Sequence, residues 1–358
     1  MFDAAANPAE SPVLVSVQGR VGRLTLNRPS AIHALTEEMC RIITDALAAW
    51  ADDPDVDVVM LDHSGARGFC AGGDIRMIAE SGAGDASEAK RFFLTEYRLN
   101  HLLFVYPKPV MAFLDGIVMG GGVGISDPAR IRIATERTIY AMPETGIGLF
   151  PDVGGGWFLP RMPGNSGVWL ALTGARLKAA ECLSLGIATH YVESSKLEAL
   201  KSEIVADSEA VFGATELFAT YAGHARVEDN MAKIDRLFAF DTMEEIVEAL
   251  QRDGSEWAMK ELKALHTKSP FSMKVSLRQM RLGAQMTNFQ DEMVMEYRMG
   301  GRMVRSHDFQ EGVRAVIVDK DNAPTWSPAD LAGVSDAMVE ALFAPLPADE
   351  EWTPLPGL

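Results

Sequence analysis

The sequence predicts an α/β protein in two parts: repeated strand, strand, helix units through about residue 200, then a mostly helical region over 201–358. Three observations carry that reading. Short apolar runs alternate with amphipathic stretches in the first half, glycines cluster between residues 119 and 156, and from about Lys196 helical spacing rich in Met, Glu and Lys takes over. In order, Val13–Gln18 and Val21–Leu26 read as a hairpin with Gly19 at its turn, ended by Asn27-Arg28-Pro29. Thr36 before Glu37 and Glu38 marks a helix start, since a hydroxyl caps free amides and early acids suit the helix dipole. Met39, Ile42, Ile43, Leu47 and Trp50 form its apolar face, and Asp53-Pro54 ends it. Residues 56–61, 109–114 and 129–134 are continuous apolar runs of the kind that fill a buried parallel sheet. In the second part, helices are predicted over 243–252 and 289–304, with breaks near Gly223, Gly254 and Ser269-Pro270, and an irregular tail over 345–358. The strand, strand, helix order recurs without any regular repeat of residues.

Composition limits the function. A chain of 358 residues that is 47% hydrophobic buries a sizeable core, and its net charge of -17 argues against nucleic acid or an anionic membrane as the main partner. An anionic ligand therefore needs a local basic patch, for which Arg28, Arg67, Lys90, Arg91 and Lys108 are candidates. The first residues, Met1-Phe2-Asp3-Ala4-Ala5-Ala6-Asn7, lack the basic region and long apolar core of a signal peptide, and no apolar stretch spans a bilayer; the expectation is a soluble, cytosolic protein. Cys40, Cys70 and Cys182 are too few for a disulfide framework, and with seven histidines they fit no zinc spacing, so no metal site is expected.

The densest signal lies between Met119 and Gly156. Met119-Gly120-Gly121-Gly122-Val123-Gly124 suggests backbone brought close to a ligand at a helix start, because glycines are costly inside regular structure. Glu144 and Asp152 follow in otherwise apolar or glycine-rich surroundings, where an acid is costly unless something uses or pairs it. Gly-Gly-Gly-Val-Gly does not complete Gly-x-Gly-x-x-Gly, since position 127 is Asp, and no Gly-Lys-Ser/Thr follows; dinucleotide and P-loop readings fail. Cys70 reads as a buried small residue rather than a nucleophile, and Trp157, Phe158, Trp169 and Leu170 as core or pocket wall.

These motifs resemble the crotonase, or enoyl-CoA hydratase/isomerase, superfamily, whose general features appear as Leu26-Asn27-Arg28-Pro29, Phe69-Cys70-Ala71-Gly72-Gly73-Asp74 and Gly120-Gly121-Gly122. Within it the chain is similar to the 3-hydroxyisobutyryl-CoA hydrolase branch, through Glu96-Tyr97-Arg98-Leu99-Asn100, Met142-Pro143-Glu144-Thr145, Phe150-Pro151-Asp152-Val153-Gly154 and the distal Asp308-Phe309 to Asp319-Lys320-Asp321. His33 departs from the usual Asn, which concerns a local turn. The resemblance implies a crotonase-like spiral of ββα units, with an acyl-CoA thioester site in residues 1–200.

It also implies roles. The Gly73 and Gly121 amides would stabilise the thioester oxygen as it gains charge, with Gly72, Asp74 and Gly120 as substrate-binding positions. Hydratases of the superfamily use two glutamates; here the first position is Gly124, while the second survives as Glu144 and Asp152 is a new acid. Hydration is thus the weaker reading. For hydrolysis the resemblance makes Glu144 the principal carboxylate, as nucleophile or as general base, with Asp152 orienting the 3-hydroxyl or the reacting groups and Glu96 a pocket residue. Two alternatives stay open, an enoyl-CoA hydratase or isomerase on the same scaffold and a CoA-binding protein without catalysis. No cofactor is implied, CoA being part of the substrate, and a homo-oligomer is a possible assembly.

Overall fold

The computed structural model describes residues 11–356 and opens on the expected antiparallel hairpin of β1 (Val13–Gln18) and β2 (Val21–Leu26). Gly19 takes φ +60° at the turn, where a Cβ would lie 2.6 Å from the Val205 carbonyl oxygen. Thr36 caps α1 (Glu37–Ala51) by accepting the Met39 N–H, and Met39, Ile43, Leu47 and Trp50 are buried as the apolar pattern requires.

The chain then winds as a spiral. It passes through β3 (Val58–His63), β4 (Gly68–Cys70), α2 (Ile75–Gly82), α3 (Ser87–Val105), β5 (Val110–Leu114), β6 (Ile117–Met119), α4 (Gly121–Gly124), β7 (Ile131–Ala134), β8 (Ile139–Ala141) and, later, β9 (His190–Tyr191). One sheet has the order β1-β2-β3-β5-β7-β9 and the other β4-β6-β8, so each turn lays one strand in each sheet. Every pairing after the hairpin is parallel. Parallel neighbours force a crossover, and the helices between turns supply it. β3 runs two residues beyond the predicted apolar stretch because Asp62, buried in it, is met by Arg23 (2.6 Å), Lys201 (2.9 Å) and the Thr25 hydroxyl (2.6 Å). The whole second sheet escaped prediction. Its strands are three residues each, too short to show a period of two.

Beyond β9 the chain is helical among the described residues. The Met243–Asp253 helix stops at Gly254, which takes φ +63°, and the Pro270–Gly283 helix starts with Ser269 as cap and Pro270 in its first turn. The Phe289–Met303 helix packs along α3, with Gly300 against the Phe93 ring. The His307–Val313 helix packs on the turn that follows Glu144. Gly148 there takes φ +74°, and a Cβ on it would lie 2.2 Å from the Asp308 carbonyl. The last residues are irregular as expected, yet Trp352 is buried and Glu351 pairs with Arg298 at 2.7 Å. We retain the division near residue 200 as a proposal about folding units.

Asp308 ties this region together. Its buried carboxylate accepts the Ser269 hydroxyl (2.5 Å) and the Ser327 N–H (2.7 Å), joining the start of one helix to the segment after another. Asp308→Ala leaves both donors without a partner and should lower stability by about 2 to 4 kcal/mol. Urea denaturation measures it, and a loss near zero would mean that these bonds do not hold the C-terminal helices in place.

Candidate active site

Because β4 and β6 are neighbours, the glycine segments that follow them lie side by side. A Cβ at Gly120 would sit 3.3 Å from the Gly72 Cα, and one at Gly121 would sit 3.3 Å from the Gly72 carbonyl carbon. Gly120 also takes φ +48° with ψ -122°, a region closed to other residues. Gly121 begins α4, so its N–H has no acceptor within the helix. Among the described residues neither that N–H nor the one of Gly73 bonds to another backbone group. Both glycines line a cavity of about 500 Å³, together with Gly72 and Gly120.

Three carboxyl groups share that cavity: Glu96 from α3, Glu144 at the start of the 3-10 turn Glu144–Ile147, and Asp152 from the loop beyond. A Cβ on Gly121 would lie 2.5 Å from Glu96 Oε1, and one on Gly120 would lie 3.3 Å from Glu144 Oε1. Only glycine at 120 and 121 lets the acids come so near this segment. All three are buried, at 2%, 5% and 6% exposure, and Glu96 Oε1 and Glu144 Oε2 have no hydrogen-bond partner among the described residues. Burial, then the charge of Asp152, pushes both Glu96 and Glu144 well above the usual carboxylate range; for Glu144, Lys268 pulls the other way. Burial pushes Asp152 up to about 6, against the Tyr97 hydroxyl, which donates to its Oδ2 at 2.8 Å and favours the charged form. Asp152 is therefore the first of the three to ionise.

Gly124 is closed to any side chain. A Cβ there would lie 2.5 Å from Val153 Cβ and 2.8 Å from Asn100 Nδ2, so a carboxylate at this position needs both to move.

Other expectations are revised. Asp74 does not line the cavity: it caps α2 at the Met77 N–H (3.5 Å) and pairs with Arg28 at 3.6 Å. The candidate basic patch is also elsewhere. Lys108 binds the Trp50 and Asp53 carbonyls at the end of α1, Arg91 pairs with Glu37 at 2.7 Å, Lys90 faces Glu350 at 3.8 Å, and Arg67 donates to the Ser30 carbonyl. The cations that line the cavity are Arg176 and Lys268, and its far wall is Val316, Ile317, Asn322 and Pro324. A site expected within residues 1–200 thus draws on residues 267–324. Lone residues far along the chain carry no local signal, and Tyr97, inside Glu96-Tyr97-Arg98-Leu99-Asn100, shows its part only through the bond to Asp152. Cys70 is fully buried and its thiol is pushed up to about 12 by burial, which leaves it inert as a nucleophile. His33 occupies a left-handed turn at φ +54°, its Nδ1 accepting the Arg28 N–H (2.9 Å) and Nε2 facing the Ser64 carbonyl (2.8 Å); burial holds it neutral, near 4. Among the described residues no group of three or more His, Cys, Asp or Glu is placed to hold a metal.

A spiral of ββα turns with paired glycine segments at the ends of neighbouring strands defines a protein of the crotonase fold. The family model described as enoyl-CoA hydratase/isomerase matches residues 21–343, and the chain belongs to that family. It is 45% identical over 350 residues to "3-hydroxyisobutyryl-CoA hydrolase, mitochondrial" of Danio rerio, which covers 95% of this chain and 91% of that protein. The Homo sapiens protein of the same name is 44% identical over 337 residues, 92% of this chain and 87% of that one. Among solved structures, a carnitinyl-CoA dehydratase from Mycobacterium thermoresistibile superposes with a TM-score of 0.92 at 41% identity, over 96% of this chain and 99% of that one. An enoyl-CoA hydratase from Rhodobacter sphaeroides gives 0.89 at 39%, over 96% and 100%. The names of the two hydrolases place them in mitochondria, which overturns the cytosolic expectation. That expectation rested on residues 1–7, which lie outside the described residues.

The Tyr97 hydroxyl offers a test of this geometry that does not depend on turnover. It favours the ionised form of Asp152, so Tyr97→Phe should move Asp152 above about 6 and leave it protonated at pH values where the parent carries a charge. Carbon-13 NMR of labelled aspartate reads the midpoint directly. A midpoint that stays in place or falls would mean that the Tyr97 bond does not govern Asp152.

Proposed function

We propose that this protein hydrolyses the thioester of a short 3-hydroxyacyl-CoA, 3-hydroxyisobutyryl-CoA to 3-hydroxyisobutyrate and CoA, as a step of valine breakdown. The observation that carries the choice of hydrolysis is the pair of positions 124 and 152. Hydration in this superfamily needs a carboxylate at the first position, and Val153 and Asn100 fill the space it would take. An acid stands instead at 152, held by Tyr97. The 44–45% identity to 3-hydroxyisobutyryl-CoA hydrolases across more than nine-tenths of the chain supports the same reading.

In this reading the thioester oxygen lies against the Gly73 and Gly121 amides. Each well-placed donor is worth roughly 3 to 4 kcal/mol as charge builds on that oxygen, and the start of α4 adds a favourable dipole. Glu144, ionised, either attacks the thioester carbon, releasing CoA thiolate and leaving an acyl anhydride for water to cleave, or takes a proton from the water that attacks. In the first route water cleaves the anhydride into the product carboxylate and regenerated Glu144, and one of the two protons released goes to the CoA thiolate. In the second the proton that Glu144 takes from water passes to the departing sulfur. Asp152 accepts the substrate's 3-hydroxyl, and Glu96, protonated through burial, lies within the same wall. Gly72 and Gly120 lie in the cavity wall beside the acyl group, and the chemistry needs no cofactor of its own. Arg176 and Lys268 are the cations available to anionic parts of the ligand. A homo-oligomer is part of the proposal, supported by exposed Leu217 and Tyr221, at 81% and 83%.

The competing reading is a hydratase or dehydratase, favoured by the descriptions of the two solved structures named above. One assay separates them. Free thiol should appear from 3-hydroxyisobutyryl-CoA while crotonyl-CoA absorbance hardly changes; the reverse result would establish the rival. Glu144→Gln should cut thiol release about 10²-fold or more with CoA-ester binding retained. Because Glu144 is held above the usual carboxylate range and acts ionised, kcat/KM should fall as pH drops through a midpoint higher than an ordinary glutamate's. Turnover near the parent's in Glu144→Gln would remove it from the chemistry.

Asp152→Asn should harm cleavage of the 3-hydroxyacyl ester more than that of isobutyryl-CoA, by roughly 5- to 150-fold in kcat/KM, since an unpartnered hydroxyl costs about 1 to 3 kcal/mol. Equal loss on both esters would place Asp152 at the thioester itself and move hydroxyl recognition to Glu96.

A further inference from the structure

The loop that carries Asp152 is held from beneath by two helices of the C-terminal region. Glu296, on the Phe289–Met303 helix, accepts the Gly154 N–H at Oε2 (2.8 Å) and the Gly156 N–H at Oε1 (3.2 Å). Gln279, on the Pro270–Gly283 helix, donates Nε2 to the Pro151 carbonyl (2.8 Å) and to Glu296 Oε1 (3.1 Å). Both side chains are 0% exposed. Their bonds fall on the residue before Asp152 and on the second and fourth residues after it.

Between those anchors the backbone is strained. Val153, β-branched, stands at φ +56°, a region such residues avoid, and Gly154 follows at φ +95°. A strained conformation persists only where surrounding groups impose it. The helices come very close: a Cβ on Gly283 would lie 1.9 Å from the Gly156 carbonyl oxygen, and one on Gly156 would lie 1.9 Å from Glu292 Oε1. Glu292 is itself buried, with neither oxygen given a partner among the described residues. Two neighbouring buried glutamates cost more than an apolar pair of the same volume would. Stability alone does not account for Glu296, whereas a need to fix the Gly154 and Gly156 amides does.

We infer that Gln279 and Glu296 are positioning residues for Asp152: by holding the Pro151 carbonyl and the Gly154 and Gly156 amides they impose the Val153 conformation and so set where the Asp152 carboxylate stands relative to Tyr97 and the bound acyl group. The inference rests on the reading in which Asp152 acts on that acyl group.

The test compares Gln279→Met, Glu296→Gln and Asp152→Asn on 3-hydroxyisobutyryl-CoA and on isobutyryl-CoA, with Leu250→Ala, a buried residue of the Met243–Asp253 helix, as a control for simple destabilisation. Gln279→Met should lose roughly 10- to 100-fold in kcat on the hydroxy ester, because small misplacement of a reacting group is costly, while KM stays within about 3-fold. The loss on isobutyryl-CoA should be smaller. Glu296→Gln should fall between, since its amide oxygen still accepts one N–H. Leu250→Ala should lower the melting midpoint and leave kcat unchanged. If Gln279→Met does not fold, the nearly isosteric Glu296→Gln carries the comparison alone. Folded variants with the parent's kcat and substrate discrimination, beside an impaired Asp152→Asn, would overturn the inference. An Asp152→Asn variant with undiminished discrimination would instead overturn the reading on which it rests.

Discussion

Close approach governs this molecule: the glycine segments after β4 and β6 lie against one another, and the Glu96 and Glu144 carboxyls lie so near the second that a single added Cβ at Gly121 or Gly120 would meet them. Much else follows from that constraint. The strands that bring the segments together must be parallel neighbours in a small sheet, because only then do the two chain reversals face one another at the same level. α3 must deliver Glu96 from the side, which requires its Phe92 and Phe93 to pack into the core and its Tyr97 to turn toward Asp152. The acids must also be buried, since in open water they would ionise at ordinary pH and lose the tuning that burial gives them.

The sequence yielded the large sheet because parallel strands buried on both faces read as unbroken apolar runs, and β3, β5 and β7 are such runs. It did not yield the small sheet, although that sheet sets the glycine segments side by side. Three residues bounded by glycine look like loop, and what makes them strands is the neighbour at each side. The site divides in the same way. Glu144 and Asp152 stood out because an acid among glycines and apolar residues is anomalous on sequence alone, and both line the cavity. Asp74 did not, because an acid ahead of an apolar stretch satisfies a helix start equally well, and there it serves. The basic candidates failed for a related reason: each had a nearer carbonyl or carboxylate to satisfy it. Lys268 and Arg176, which line the cavity, acquire meaning only from the fold.

One scaffold supports several reactions in this family, as the hydrolase, hydratase and dehydratase descriptions of its relatives make plain. A pair of amides facing a thioester oxygen helps any of them, because each builds negative charge on that oxygen. Discrimination therefore falls to the carboxyls, to their number, place and state of protonation. Here position 124 is sterically shut, while a third acid enters from the loop at 152. Repulsion within such a cluster distributes protons unevenly: Asp152, with a hydroxyl donated to it, ionises first, and its charge helps keep Glu96 neutral. Burial and the same charge raise Glu144 as well, and Lys268 opposes them only in part. The cluster so separates one acid that ionises first, Asp152, from two that burial and its charge hold protonated to higher pH, using environment rather than residue type.

The C-terminal helices complete this arrangement from outside the spiral. Residues 316–324 wall the cavity, the His307–Val313 helix presses on the turn that bears Glu144, and Gln279 with Glu296 grips the loop that bears Asp152. The grip of Gln279 and Glu296, and the approach of Asp308 to Gly148, land on backbone within a few residues of a carboxyl rather than on the carboxyl itself. A side chain held directly by strong donors would be ionised and deactivated as a base; held through its backbone, it keeps both its position and its unsatisfied oxygen. Glu144 Oε2, buried and without a partner among the described residues, is the result.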